Sequence, residues 1–370
     1  MRKITFLLIV CFVLISFTPV ITLGEEAPVI NNLSLEEAEK QAVSYSLSLK
    51  GADMDIERAY EVRKSAGDQV RFMAGVPFTP VGPQDATVSS VYAALLGADL
   101  NWRTQEKMLD ARIDAVRVGV FQAYTEVLKA QQSLLSAEAN HRSALWKLNA
   151  TQMGFQYGVR SQSELELVKA GYEASKAAYK AAQEGEAKAY QALNRLMGYE
   201  PDTRWVLQDD PQYAILEMDS LEYHINKVIA DSPMVWSAEQ KGKIAKSILD
   251  LYPGSSAGEP YTAKALDVDK AKLEHQNTKE ALRNQVEGLY LQLRQLEEQY
   301  QAAQEQARLT EETLRIKKVG YEVGINTKGE VLAGEADLIA AQAQVNSLKY
   351  AHETQKRIFA KPWVYAFLGS

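Results

Sequence analysis

The feature that most constrains the fold is a run of apolar residues at alternating spacings of four and three. It comprises Leu282, Val286, Leu289, Leu293, Leu296, Tyr300, Ala303, Ala307, Thr310 and Leu314. A mean spacing of about 3.5 residues is typical of a helix that supercoils on a neighbour. A second run continues through Leu338, Ala341, Val345, Leu348, Ala351 and Ile358. Because Gly324 and Asn326 between the runs supply turn residues, we predict a long antiparallel helical hairpin over 282–358.

An earlier stretch of the chain repeats this hairpin at a constant offset of 166 residues. The matched pairs are Arg117/Arg283, Val120/Val286, Tyr124/Tyr290, Phe155/Tyr321, Gly158/Gly324, Val159/Ile325, Ser161/Thr327, Glu164/Glu330, Ala170/Ala336 and Ala174/Ala340. No gap is needed across helix, turn and helix, which indicates an internal duplication. We therefore predict an all-α fold of duplicated long antiparallel helical hairpins. The first long helix is expected from about Thr104 to Met153.

Each half also opens with a shorter helical segment. Ser34 followed by Glu37 forms a capping-box pattern, and Ser220 opens the second half at an offset of 186. Ser46 then falls on Ser232. We expect the first opening helix to continue unbroken to about Lys64.

The pattern predicts five segments. They are a signal peptide (1–24), a first helical repeat (25–198), a connector (199–217), a second helical repeat (218–361) and a C-terminal tail (362–370).

The first 24 residues have the character of a targeting segment. Arg2 and Lys3 precede an apolar run from Ile4 to Phe17, and small residues follow near Gly24. An uncleaved anchor is the alternative. Because Cys11 lies in this segment, the mature chain would contain no cysteine, which excludes disulfides, thiolate metal sites and thiol nucleophiles.

Charge and motif content exclude several classes of function. The formal charge is −7, and removal of Arg2 and Lys3 with the signal peptide makes it −9. Nucleic-acid binding is not expected, since no basic stripe is present. No phosphate loop, nucleophile elbow or catalytic triad occurs, so we predict no enzyme activity and no cofactor. The four histidines, which lack metal-ligand spacing, are expected at the surface: His141, His224, His275 and His352.

Three motifs together carry a resemblance to a known family. They are the opening Leu33-Ser-Leu-Glu-Glu-Ala38, the two turns and the helix end Ala192-Leu-Asn-Arg-Leu-Met-Gly-Tyr-Glu-Pro201. Each turn has an aromatic residue, then glycine, then an acidic residue: Phe155, Gly158, Glu164 and Tyr321, Gly324, Glu330. This combination, which covers most of the mature chain, resembles the TolC family of outer-membrane efflux proteins.

The resemblance implies a homotrimer whose hairpins close into a tubular α-barrel. Such a protomer would act as a passive duct for efflux or export of small molecules or proteins across the cell envelope. Its partners would be a periplasmic adaptor (membrane fusion) protein and an ABC- or RND-type pump. It would be exported by its signal peptide and reside in the envelope, at the outer membrane if the host has one and otherwise extracytoplasmically.

The resemblance also implies roles for the residues of the two turns. The adaptor-docking tips would be Gly158, Val159, Arg160, Ser161, Gly324, Ile325, Asn326 and Thr327. Glu330 matches an acidic ring at the pore mouth. Glu164 and Tyr321 match a pair that links neighbouring coils in the closed state. Asn326 stands where a basic residue often joins that latch, so the chain departs from the family pattern there.

The larger departure concerns the strands that family members insert into each half. A membrane-spanning strand needs about 9–11 residues of alternating pattern. Residues 88–102 could form helix or one short strand, and 252–260 show no alternation. We therefore expect β-barrel strands to be absent or vestigial. The alternative function is a non-conducting coiled-coil structural or tether protein of the envelope; a trimer would favour the duct and an extended monomer or dimer the tether.

Overall fold

The computed structural model describes residues 31–74, 83–252 and 260–368, so the predicted signal peptide and Cys11 lie outside the described residues. The described chain is almost entirely helical, as predicted. Its helices are α1 (Leu35–Tyr45), α2 (Leu47–Ala74), α3 (Pro83–Gln156), α4 (Gln162–Met197), α5 (Leu221–Asp231), α6 (Pro233–Asp250), α7 (Tyr261–Glu322) and α8 (Lys328–Ala360). A 3₁₀ turn, Pro362–Ala366, follows α8.

The helix boundaries confirm the predicted duplication. The turn between α3 and α4 runs from 156 to 162, and the turn between α7 and α8 runs from 322 to 328, a shift of 166 at both ends. The starts of α1 and α5, at 35 and 221, differ by 186, as do the starts of α2 and α6, at 47 and 233. Both offsets read from the sequence are therefore reproduced by the backbone.

The prediction of one unbroken opening helix is wrong, because the chain bends at Ser46. The backbone of Ser46 leaves the helical region (ψ 118°), and its hydroxyl accepts a hydrogen bond from the N–H of Leu49 at 3.3 Å. Ser232 does the same in the second half, bonding Val235 N, and Pro233 follows it at the first helical position. A serine that caps a new helix does not interrupt the apolar pattern, so the break could not be predicted from the spacing of apolar residues.

The first long helix is longer than predicted. α3 has 74 residues and, at ~1.5 Å per residue, spans roughly 110 Å. Residues 88–102, for which the sequence left helix and strand open, are helical. One part of α3 is covered by α2, with Arg63 bonding Asp99 at 2.6 Å, and another by α4, with Gln131 bonding Tyr190 at 2.8 Å. Two shorter helices thus support one long helix.

The two repeats differ in length at the end away from the hairpin turns. α2 has 28 residues against 18 in α6, and α3 has 74 against 62 in α7. The first repeat is therefore longer by 10 residues in one helix and 12 in its partner. At ~1.5 Å per residue the described helices of the first repeat extend about 15–18 Å further.

The helices form a wall rather than a compact bundle. Near the turns, α4 packs on α3, α3 on α8 and α8 on α7; at the other end, α2 packs on α3, α3 on α6 and α6 on α7. Each repeat has its own apolar core. In the first it is built on Val120, Tyr124 and Val127 of α3, and in the second on Val286, Leu289 and Leu293 of α7.

A short connection ties the start of the chain to the segment between the repeats. β1 (Asn31–Leu33) pairs in parallel with β2 (Trp205–Leu207), and Tyr124 OH donates to Leu33 O at 3.2 Å. Three-residue strands are too short to show alternation, so the sequence did not predict them. None of the helices in the described ranges is both long enough and apolar enough to serve as a membrane span.

Candidate functional site: the two hairpin tips

Both hairpin turns are built by the same backbone device. Gly158 and Gly324 adopt left-handed conformations, with φ of 72° and 79°. Glycine is favoured there because it has no Cβ to clash with the backbone. Each of these glycines follows the end of a long helix by two residues, α3 in one case and α7 in the other. The turn predicted at these two positions is thus formed, and by the expected residue.

The hydrogen bonds of a Schellman motif close each turn. Val159 N donates to Gly154 O at 2.8 Å, and Ile325 N donates to Gly320 O at 2.7 Å. The glycine amides donate to carbonyls three residues back, at 3.0 and 3.1 Å. Because these bonds satisfy the last carbonyls of each long helix, the tips are rigid turns and not loose loops.

Gly154 and Gly320 permit the chain to fold back closely on itself. A Cβ on Gly154 would lie 2.6 Å from the Arg160 side chain, and a Cβ on Gly320 would lie 2.6 Å from Asn326 Nδ2. The Asn326 amide also donates to Lys317 O at 3.2 Å. Asn326 therefore fastens the second tip to the end of α7.

The residues after each glycine begin the return helix. Ser161 Oγ accepts from Glu164 N at 3.2 Å, and Thr327 Oγ1 accepts from Glu330 N at 3.3 Å. The Glu330 carboxylate bonds back to Thr327 N at 2.7 Å, which completes a capping box. Hydrogen bonds from the backbone and hydroxyl of Thr327 lower the pKa of the Glu330 carboxyl. Glu164 forms an ion pair with Arg160 instead.

Apolar side chains project from both turns into solvent. Tyr157 and Val159 of the first tip, and Val323 and Ile325 of the second, are 66–80 % exposed. The sequence predicted Val159 and Ile325 but not Tyr157 and Val323. The latter two are also related by the 166-residue offset, which is the signal that could have identified them. Paired apolar groups on rigid, exposed turns are typical of a protein-binding surface.

The two tips lie at the same end of the molecule. A Cβ on Gly329, just after the second turn, would lie 2.3 Å from the ring of Trp146 on α3. Glu335 of α8 pairs with Arg142 of α3 at 3.5 Å and with Lys318 of α7 at 3.3 Å. These contacts hold the second tip against the first hairpin, and the sequence did not identify Trp146 as part of this arrangement.

The predicted latch pair is not joined within one chain. No hydrogen bond links the described residues Glu164 and Tyr321; Glu164 is paired with Arg160, and the Tyr321 ring has Lys328 Nζ 5.9 Å from its centre. The latch was predicted between neighbouring coils, so it stays a prediction. Glu330 is exposed on the second tip.

The expectation of four surface histidines is wrong for His352. Its side chain is fully buried, and its ring nitrogens lie 3.4 Å from Glu297 and 3.1 Å from Glu353. The carboxylates come from α7 and from α8 itself, and the α7 contact is tertiary, so helix periodicity alone did not reveal it. Across residues 31–74, 83–252 and 260–368, no group of three or more His, Cys, Asp or Glu is arranged to hold a metal ion.

Comparison with known proteins gives one family match and several matches of fold. Residues 246–357, which include the second tip, match the family model described as outer membrane efflux protein. No curated protein matches the sequence.

Three solved structures illustrate the likeness of fold. The CmeC outer membrane channel of Campylobacter jejuni has a TM-score of 0.63 at 13 % identity, over 90 % of this chain and 86 % of that chain. The outer membrane protein VceC of Vibrio cholerae has a TM-score of 0.61 at 15 % identity, over 91 % and 96 %. The open state of the MtrE outer membrane channel of Neisseria gonorrhoeae has a TM-score of 0.57 at 15 % identity, over 90 % and 89 %.

Proposed function

We propose, from the premise that this chain resembles the TolC family of outer-membrane efflux proteins, that it is a duct component for passive efflux or export. The fold along the chain and the family match over 246–357 both support an efflux-duct role. The observation that carries the proposal is the pair of matching rigid tips at one end of a two-repeat wall. A simple tether gains nothing from two such tips.

A duct requires the wall to close on copies of itself, and one edge of the wall is suited to this. The outer face of α7 carries five exposed apolar residues: Leu266, Leu273, Leu291, Leu309 and Ile316. They are separated by seven or eighteen residues, which are close to whole numbers of helical turns, so they form one stripe. The stripe lies on the side of α7 opposite the buried Val286 and Leu293.

The other edge of the wall offers a complementary surface. A groove between α3 and α4 is lined mainly by small residues, among them Ala130, Ser133, Ala137, Ala178, Ala181, Ala182 and Gly185. Small side chains allow a neighbouring helix to approach closely, and large side chains on that helix can fill the groove. We infer that α7 of one copy packs beside α4 of the next. The family resemblance gives the number of copies as three.

The tips then surround the mouth of the tube and face the adaptor. Val159 and Ile325, with Tyr157 and Val323, provide the apolar contact, and the Schellman turns hold it in a fixed shape. Because binding does not have to order these turns, little conformational entropy is lost on docking. Glu330, held ionised by its capping box, would place one negative charge per copy at the mouth.

The test combines oligomeric state with adaptor binding. The purified protein should be a trimer by native mass spectrometry, and an extended monomer or dimer would support the tether instead. Val159→Asp combined with Ile325→Asp should abolish co-purification with the adaptor. Val62→Asp is the matched control, because Val62 is an exposed valine on α2, away from the tips. Adaptor binding unchanged by the tip substitutions would refute the docking assignment.

A further inference from the structure

The segment 209–216 between the repeats, here called the strap, contacts both halves of the molecule. On the first repeat, Asp209 Oδ2 accepts from the N–H of Leu35, the first residue of α1, at 2.6 Å. The N–H of Asp209 in turn donates to Tyr124 OH at 3.0 Å. Just before the strap, β2 pairs with β1, and the buried Trp205 donates to Asn194 at 2.7 Å. The strap therefore begins from a firmly attached point on the first repeat.

The next residue, Asp210, is directed to the second repeat. Its carboxylate accepts from Lys349 Nζ at 2.7 and 2.8 Å and from Tyr350 OH at 2.8 Å, both on α8. Lys349 is 7 % exposed, so its charge is buried and depends on this partner. Burial, followed by the hydrogen bond to Asp210, raises the pKa of Tyr350. Two adjacent aspartates thus connect the two repeats.

The rest of the strap is held by carboxylates of the second repeat. Glu353 accepts from Ala214 N at 3.3 Å, and Glu297 accepts from Leu216 N at 2.9 Å. Lys356 Nζ donates to Ala214 O at 2.8 Å. Arg294 donates to Leu216 O at 3.4 Å. The strap backbone is therefore bound to α7 and α8 almost entirely through charged side chains.

His352 and two tyrosines lie beneath the strap. The ring of Tyr213 stacks on Tyr300 at 3.8 Å between ring centres and lies 4.8 Å from His352. His352 is placed between Glu297 and Glu353, so it contacts both carboxylates that hold the strap. The Tyr213 hydroxyl is buried and has no hydrogen-bond partner among the described residues.

We propose that the strap is a releasable restraint that fixes the position of the second hairpin relative to the first. Its first-repeat end is held by strand pairing, apolar burial and the bond from Leu35 N to Asp209, whereas its second-repeat end is held by the Tyr213 stack and by several ion pairs and charged hydrogen bonds. Loss of one charge leaves its buried partner unsatisfied, so the second-repeat contacts separate first. Once the strap is released, the packing of α3 on α8 and the contacts of Trp146 and Arg142 still hold the hairpins together, but the second tip gains freedom of movement relative to the first. Its relevance to duct opening rests on the proposed function, but the restraint itself does not.

Acidification is one way to release the strap. Burial of Glu297 opposes its ionisation, but the hydrogen bonds from Leu216 N, Arg294 and His352 outweigh burial and lower its pKa below 4.5. Burial also opposes ionisation of Glu353, but the hydrogen bonds from His352 and Ala214 N outweigh it and lower the pKa of this carboxyl. A carboxyl whose pKa is lowered on docking stabilises the docked strap when the pH is above its ordinary pKa. That contribution is lost as the pH falls through the pKa of the docked state. The other charged or titratable groups facing the cluster are Arg294 and Tyr300 on α7, Lys356 on α8 and Tyr213 on the strap.

The test measures the strap and the tips separately in the full chain. Backbone amides of 214 and 216 should lose protection from hydrogen exchange by about tenfold in the double variant Glu297→Gln, Glu353→Gln. The tip-to-tip distance is measured between spin labels on cysteines introduced at 159 and 325, with Cys11 replaced by serine. Labelled protein is diluted with unlabelled protein so that the distance within one chain is observed. The distance distribution should broaden in the double variant. Glu222→Gln is the control, because it breaks an exposed pair with Arg283 that does not touch the strap.

Two results would overturn the proposal. If the two amides keep their protection in the double variant, charge does not hold the strap. If they lose protection but the tip distances do not change, the strap does not position the hairpins. If the double variant does not fold, Tyr213→Phe provides the opposite test. It removes an unsatisfied hydroxyl, so the same amides should gain protection and the tip distances should narrow. Neither measurement requires an adaptor or transport, so both would still test the strap if the proposed duct function were wrong.

Discussion

Gly329→Ala should separate the second tip from the first hairpin. The added Cβ would lie 2.3 Å from the Trp146 ring, whereas carbon atoms in ordinary contact are about 3.5–4.0 Å apart. Either the ring or the start of α8 must therefore move by more than ~1 Å. Overpacking of this kind costs about 1–3 kcal/mol of the free energy of unfolding.

A double-mutant cycle isolates this contact. Urea denaturation should show that Gly329→Ala destabilises the wild-type chain but costs about 1 kcal/mol less when Trp146→Ala has already removed the ring. Gly51→Ala on α2 is the matched control, because Gly51 is exposed and lies outside the inferred contact between α4 and α7. No atom lies within 4 Å of its added Cβ, so the better helix propensity of alanine should stabilise by up to about 1 kcal/mol. If the free-energy changes of Gly329→Ala and Trp146→Ala simply add in the double variant, the two residues are not packed against each other.

Three further predictions address the turn, the wall edge and the strap. Gly324→Ala should cost about 1–2 kcal/mol in urea denaturation, because alanine must adopt φ 79° although space is open; no loss would contradict the left-handed turn. Leu291→Asp combined with Leu309→Asp should shift sedimentation from trimer to monomer, since the charges would be buried in the interface. Stability should fall as the pH drops below 4.5, and Glu297→Gln with Glu353→Gln should flatten that dependence; an unchanged pH profile would contradict the cluster's role.

Features fixed by neighbouring residues were predictable from the sequence. The turns at Gly158 and Gly324 depend on local backbone conformation, and the stripe from Leu282 to Leu314 depends on helical period, so both were recognised. The duplication then predicted the fold of one half from the other. The exposed Val159 and Ile325 at the tips followed for the same reason, whereas Tyr157 and Val323 were missed.

Features fixed by distant residues were not predictable. Burial of His352 depends on Glu297, 55 positions away along the chain. The contact of Trp146 with Gly329 likewise joins separate hairpins. Each is a tertiary contact, and neither of the two helices that form it shows the contact in the spacing of its own residues. A single sequence without structural context therefore predicts the hairpins better than the contacts between them.

The unequal lengths of the two repeats give the opposite ends of the wall different symmetries. At the turns, each chain presents two nearly equivalent groups, so the proposed trimer would display six similar positions. At the far end, the described helices of the first repeat rise about 15–18 Å above those of the second. The rim of the proposed trimer would alternate between three raised and three recessed positions. A binding partner with sixfold symmetry would match the turn end of the proposed tube and not the uneven helices at the other end.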